Sequence, residues 1–353
     1  MKMTVHHLTL PLEHPFTISR GTITHQRSVV VELEHQGVSG FGEVTENSFY
    51  GQDVDTIAGR LATSDPLLRD IESSLTRPDW PGRLWQAAAD RWSPDTFALS
   101  ALDMAACDLW GRMTGRPGHE LWGLQWNDVP SSSYTIGIAP IEQMIDKLRE
   151  RPDWPIYKIK LGTPDDVAIV RRLREETDAV FRVDANCAWS ADQTIEFSPV
   201  LKDLGTEFIE QPLPITASDE DKRRAFRHSA LPLIADEDCQ VESDVLRCRD
   251  FYHGINVKLC KCGGPTPAVR MLRRARSLEM QTMVGCMIES SIGISMTAQL
   301  LPLLDHADLD GAVLLRRDPA EGVSLDRGKV TLSGRSGTGS RLRQESPDAT
   351  TAR

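Results

Sequence analysis

The chain has 353 residues, 40% of them hydrophobic and 26% charged, an ordinary globular composition with enough apolar mass for a large core. Lysines and arginines number 40 against 51 aspartates and glutamates, a formal charge of −11. Such an acidic chain is a poor electrostatic match for a phosphate backbone or an anionic membrane, so neither nucleic acid nor membrane is expected as a partner.

The opening MKMTVHHLTLPLEH lacks the continuous apolar stretch of a signal peptide. Residues 28–34 (SVVVELE) are β-branched and apolar and read as a strand, with Gly37 and Gly40 marking the turn after it. From about Pro94 the pattern becomes helical: Leu99, Leu102, Ala106, Leu109 and Met113 recur at three- and four-residue steps until GRP at 115–117 stops the run. Residues 1–125 therefore read as an α+β unit, with the tryptophans near 80–92 in its core.

After Ser131 short apolar strands alternate with charged helices. The strands are expected at 134–138, 156–161, 181–184, 208–210, 233–236, 255–259, 283–286 and 307–310. Thr163 reads as an N-cap with Pro164 at the first helical position. Repeated βα units over residues 126–315 predict a parallel sheet with crossover helices. Residues 292–304 are apolar but too short to span a bilayer. Residues 316–335 are expected to return to the first unit, and the Ser/Thr/Gly/Arg-rich tail 336–353 to be disordered. Seven cysteines without zinc-ligand spacing predict reduced thiols and a cytoplasmic protein.

Lys160, Asp184, Glu210, Asp236 and Lys258 each end a predicted strand, about one βα unit apart. In a βα barrel such strand ends converge on one face. An open doubly wound sheet would spread them out and carry a glycine-rich phosphate loop, which is absent. Side chains alternate along a strand, so Lys158 and Lys160 share the inner face, as do Asn256 and Lys258. Three carboxylates on adjacent strands form a hard oxygen site that suits Mg²⁺. Lysines beside a cation and beside each other are expected to have lowered pKa values, which fits a general base. Lysines on opposite sides of one carbon can remove and return its proton. The bland readings are a solvated strand edge for Lys-x-Lys and a helix cap for a single aspartate; neither explains the ordered set.

The segments KIKLG, RVDAN, FIEQP, ADED and INVKLCKCGG resemble the enolase superfamily, in its muconate-lactonising branch. The likeness covers nearly the whole chain and implies a modified TIM barrel with an N-terminal α+β capping domain. It implies Lys160 and Lys258 as acid/base residues, Lys158 as support for the substrate carboxylate, and Asp184, Glu210 and Asp236 as Mg²⁺ ligands. MVGCMIESSIGI followed by Asp308 and Asp310 resembles the dipeptide epimerases. Two aspartates on one side of a strand make an anionic pocket suited to a free α-ammonium group. Thr135 and Cys286 align with substrate-lining positions, though core packing explains them equally. Arg20, in the loop that closes over the site in this family, suits an acidic substrate side chain; Phe49 and Tyr50 suit an apolar one. The implied partner is a dipeptide, and a homo-oligomer is compatible. Three rivals stay open: a cycloisomerase or syn-elimination enzyme with the same metal and lysines, a metal-free Schiff-base aldolase, and a non-catalytic dipeptide-binding protein.

Overall fold

The computed structural model describes residues 1–71, 75 and 77–343. It begins with an antiparallel sheet of β1 (Lys2–Ile18), β2 (Gly21–His35) and β3 (Val38–Thr45). Val29, Val31 and Leu33 alternate along β2 onto one face, where helices bury them. Those helices are α1 (Val54–Leu61), α2 (Asp65–Ile71), α3 (Trp80–Trp92) and α4 (Thr96–Thr114). Helix therefore starts some forty residues earlier than the periodicity predicts, and local signals mark it. Asp53 caps α1 by accepting from the backbone of Asp55 and Thr56, and Pro81 stands in the first turn of α3. Gly115 ends α4 in the left-handed conformation, φ 69.

The barrel follows in strict alternation: β4 (Tyr134–Ile136), α5 (Ile141–Glu150), β5 (Ile156–Lys160), α6 (Asp166–Arg174), β6 (Val180–Asp184), α7 (Ala191–Asp203), β7 (Thr206–Glu210), α8 (Asp219–His228) and β8 (Leu233–Ala235). It continues through α9 (Asp244–Cys248), β9 (Gly254–Val257), α10 (Leu259–Cys262), α11 (Pro265–Ser277), β10 (Gln281–Gly285), α12 (Ser291–Ala298) and β11 (His306–Asp308). The eight strands are parallel neighbours in chain order, and a bridge between Ser132 and Ala307 joins the two edges. This is the modified βα barrel with an N-terminal α+β layer that the sequence predicts. Regular helix starts only at Asp166, later than a cap at Thr163 predicts. The Thr163 hydroxyl still accepts from the Asp165 backbone at 3.2 Å, as a cap does, and it donates to Asp166, whose carboxylate also accepts from Gly162, Thr163 and Trp189.

α4 is buried along 97–111 because it lies between the sheet and the barrel. Against the sheet, Gly42 lets the backbones meet: a Cβ there would strike the Ala101 carbonyl. Against the barrel, Asp103 accepts from the backbone and hydroxyl of Thr266, at 2.7 and 2.8 Å, in the first turn of α11. Glu43 of β3 does the same at α12, accepting from the backbone of Ser290 and Gly293, each at 3.1 Å. Carboxylates of the first unit thus occupy two helix N-termini of the second, where they satisfy orphan N–H groups and the helix dipole.

The chain then forms β12 (Ala320–Glu321), β13 (Ser324–Asp326), β14 (Lys329–Thr331) and β15 (Arg341–Leu342); β12 and β15 return to the first unit as expected of 316–335, but the β13–β14 hairpin packs on the barrel through Leu325 and Val330. Ala320 packs with Val30 and Phe41. The expectation of a disordered tail from residue 336 is corrected for 336–343. The buried Asp108 carboxylate, which needs donors, takes the backbone and hydroxyl of Thr338 at 2.7 and 2.9 Å, and β15 pairs with β12. Residues 344–353 lie outside the described residues. Among the described residues, no helix is long and apolar enough to cross a membrane.

Candidate active site

The parallel register sets the site. It aligns Lys160 with Asp184 and Asp184 with Glu210, so these strand ends present side chains at one level of the inner face. Asp184, Glu210 and Asp236 are fully buried, and one oxygen of each lies within 4.8 Å of the others. Burial, then the charge of Asp184, pushes Glu210 up to about 7. Glu210 Oε2 sits 2.8 Å from Lys158 Nζ but has no aligned hydrogen bond. Three crowded carboxylates, one with an oxygen left over and none accompanied by histidine or cysteine ligands, fit a hard divalent cation such as Mg²⁺.

Three lysines face these carboxylates and line the cavity in front of them. Lys160 Nζ lies 2.6 Å from Asp184, and Lys258 Nζ 2.8 Å from Asp236. Lys158 Nζ lies 2.8 Å from both Glu210 and Asp308, and 3.2 Å from Asp184. The lowering expected of lysines beside a cation is not what the carboxylates alone produce at Lys158 and Lys258. Burial disfavours their charge, but Asp236 for Lys258, and Asp308 with Glu210 for Lys158, hold both above the ordinary 10.5.

Asp308 ends β11 and Asp310 follows it, both buried. Asp308 accepts from Lys158 and from the Ser133 hydroxyl at 3.0 Å. Burial alone would raise it; Lys158 holds it well below the usual carboxylate range. Asp310 accepts from the Thr135 backbone at 2.6 Å and hydroxyl at 3.2 Å, and burial with the Asp308 charge pushes it up to about 8. The two aspartates are therefore unequal: Lys158 favours the ionised form of Asp308, and burial beside that charge favours the neutral form of Asp310. Thr135 orients Asp310 as well as lining the cavity, and Cys286 lines it too.

Arg20 reaches the cavity from the first unit, but it is not free. Its Nη2 lies 2.8 Å from Glu237, its Nη1 donates to the Asn186 carbonyl at 3.2 Å, and its guanidinium lies 4.5 Å from the centre of the Phe49 ring. The cavity, about 840 Å³, gathers Arg20, Phe49, Tyr50, Thr135, Lys158, Lys160, Lys258, Cys286, Asp308 and Asp310. The triad lies behind the lysines. Sequence reasoning missed Glu237, Gln211 and Lys261, and it placed Asn256 on the inner face without a role. Glu237 lines the cavity, Asn256 donates to Glu210 at 2.8 Å, and Gln211 accepts from the Asp236 backbone at 3.0 Å. Each of the four lies within three residues of a strand-end lysine or carboxylate.

Residues 1–123 match the family described as mandelate racemase/muconate lactonizing enzyme, N-terminal domain. Residues 141–346 match the one described as enolase C-terminal domain-like. The L-Ala-D/L-amino acid epimerase of Flavobacterium johnsoniae is 47% identical, over 96% of this chain and 99% of that protein. This chain belongs to the dipeptide epimerases of the enolase superfamily. The L-Ala-D/L-amino acid epimerase of a Maribacter species is 45% identical over 98% of this chain and 100% of its own. Among solved structures, the dipeptide epimerase of Methylococcus capsulatus, complexed with Mg and the dipeptide L-Arg-D-Lys, superposes with a TM-score of 0.84 at 30% identity, covering 96% of this chain and 98% of that one.

Proposed function

We propose that the chain catalyses Mg²⁺-dependent 1,1-proton transfer at the Cα of the C-terminal residue of a dipeptide. One observation carries this reading: Lys160 and Lys258 stand at the ends of strands half a ring apart, line one cavity, and are paired with different carboxylates of one triad. A carbon held between them has a proton carrier on each face, which is what inversion requires.

In this reading Asp184, Glu210 and Asp236 hold Mg²⁺. When bound, the cation would neutralise the carboxylates that otherwise favour the charged form of Lys258, and would stabilise negative charge on a substrate carboxylate. The lysine in its neutral form takes the α-proton, leaving an enediolate. The opposite lysine, as an ammonium, gives a proton to the other face. Lys158, fixed between Glu210 and Asp308, adds positive charge beside the carbon that becomes electron-rich. Ionised Asp308 receives the α-ammonium group at the far end. Residues 1–125 act as the cap that supplies Arg20 and Phe49, 126–315 as the catalytic barrel, and 316–335 as a closing segment that meets the cap at Ala320 and the barrel at Val323 and Val330. The seven unpaired cysteines fit a cytoplasmic, reducing location.

The C-terminal side chain of the substrate is read as uncharged. Arg20 already has a carboxylate partner in Glu237, so an acidic substrate side chain must displace it, while Ile18, Phe49, Met287 and Leu314 supply apolar wall. Incubation of L-Ala-L-Leu, L-Ala-L-Phe and L-Ala-L-Glu with enzyme and Mg²⁺, followed by chiral chromatography, tests both points. The expected result is D-epimer from all three, with kcat/KM at least about tenfold higher for the uncharged pair, the discrimination typical of a mismatched pocket. No D-epimer from any dipeptide overturns the assignment, and faster turnover of L-Ala-L-Glu overturns the side-chain reading.

A further inference from the structure

We propose that Lys261 is a positioning residue: it fixes the Asp236 carboxylate and, through it, Lys258. β9 ends at Val257, Lys258 is extended, and the single turn of α10 brings Lys261 back beneath the strand ends. Its side chain is fully buried and is not part of the cavity wall. Its ammonium reaches four oxygens: the Asp236 carbonyl at 2.5 Å, Asp236 Oδ1 at 2.5 Å, the Cys239 carbonyl at 3.0 Å and the Asn256 carbonyl at 3.2 Å. An ammonium has three protons, so none remains for a substrate.

The three triad carboxylates share one arrangement, and it gives Lys261 its meaning. Each has one oxygen pinned by a buried donor and the other facing a cavity lysine. Asp184 Oδ1 accepts from the Asn186 backbone at 2.9 Å, and its Oδ2 faces Lys160. Glu210 Oε1 accepts from the Asn256 side chain at 2.8 Å, and its Oε2 faces Lys158. Asp236 Oδ2 faces Lys258, and the donor that pins its Oδ1 is Lys261. Among the described residues, the hydrogen bonds to the Asp236 carboxylate come from these two lysines alone. Lys261 is tied at the same time to main-chain carbonyls at residues 236, 239 and 256, so it locks the side chain of Asp236 to the loop that follows it and to β9. Without that lock Asp236 can rotate, and both the third oxygen of the triad and the counter-ion of Lys258 move.

This proposal rests on the reading of the triad as a metal site. Its test is Mn²⁺ binding, followed by electron paramagnetic resonance, to the full-length wild type, K261M, D236N and the K261M/D236N double variant, with circular dichroism as the check of folding. Loss of a residue that orients a metal ligand weakens metal binding by about 10–100-fold, and that is the loss expected for K261M. Because Lys261 acts through Asp236, the double variant should bind Mn²⁺ no more weakly than D236N alone. In K261M the rate of Cα–H exchange should also fall more for the epimer that depends on Lys258 than for the one that depends on Lys160, the two being told apart with K258A and K160A. A wild-type Mn²⁺ affinity in K261M, or losses that multiply in the double variant, overturns the proposal. A wild-type affinity in D236N overturns the metal-site reading itself, and the proposal with it. K261M leaves a buried carboxylate short of a partner and can fail to fold; the double variant removes that charge, and its comparison with D236N alone then decides the question.

Discussion

At the scale of single residues, the two aspartates after the last barrel strand make unequal contributions. Lys158 favours the ionised form of Asp308, whereas burial and the Asp308 charge favour the neutral form of Asp310, which Thr135 holds by hydrogen bonds. Asparagine is close to an isostere of that neutral acid. Steady-state kinetics at pH 7 should therefore show a change below about threefold in KM for Asp310→Asn and a rise of about tenfold or more for Asp308→Asn, the usual worth of one charge-assisted contact. Equal effects of the two substitutions would contradict the division of charge. Strand ends made the lysines, the triad and both aspartates legible in the sequence, because a barrel must bring such positions together. The pairing of Arg20 with Glu237 was not legible: residues more than two hundred positions apart meet only once the first unit is docked. Lys261 was passed over because its strand alternation had ended and a single helical turn re-aims it.

At the scale of elements, the junction between the two units rests on carboxylates at helix N-termini. Burial outweighs the hydrogen bonds from Thr266 and pushes Asp103 from its ordinary 3.8 up to about 7. A folded-state pKa above the unfolded one means that folding favours the protonated acid. The contribution of Asp103 to stability is full below about pH 4 and is lost as the pH rises through about 7. The stability advantage of wild type over Asp103→Asn, measured by denaturant unfolding, should shrink between pH 4 and pH 7; an advantage that stays constant would contradict the assignment. The barrel strands were readable from their spacing and apolar runs to within a few residues. α1 to α3 were not, because their apolar positions are short and interrupted, and only the Asp53 cap of α1 and Pro81 in the first turn of α3 signal helix there. The segment 336–343 looked disordered because it is polar, yet the same polarity supplies the donors that buried Asp108 requires.

At the scale of the whole molecule, the cap brings Arg20, Phe49 and Tyr50 to a cavity whose chemistry belongs to the barrel. The triad draws the barrel strands together around a concentration of negative charge, so a divalent cation should stabilise the fold as well as serve the reaction. Mg²⁺ at 100 times its Kd adds about 2.7 kcal/mol to the unfolding free energy. It should raise the Tm of wild type but not of Asp184→Asn; an equal rise in both would place the cation elsewhere. The central claim is that two lysines serve the two faces of one carbon. Proton NMR in D₂O tests it most directly, following Cα–H of L-Ala-L-Leu and L-Ala-D-Leu with Mg²⁺ and wild type, K160A or K258A. Wild type should exchange both epimers, and each variant should lose epimerisation by about 10²–10⁴-fold. Each variant should also keep exchange on one epimer only, a different one for each. Exchange lost on the same epimer in both variants, or kept on both epimers in either, would contradict it.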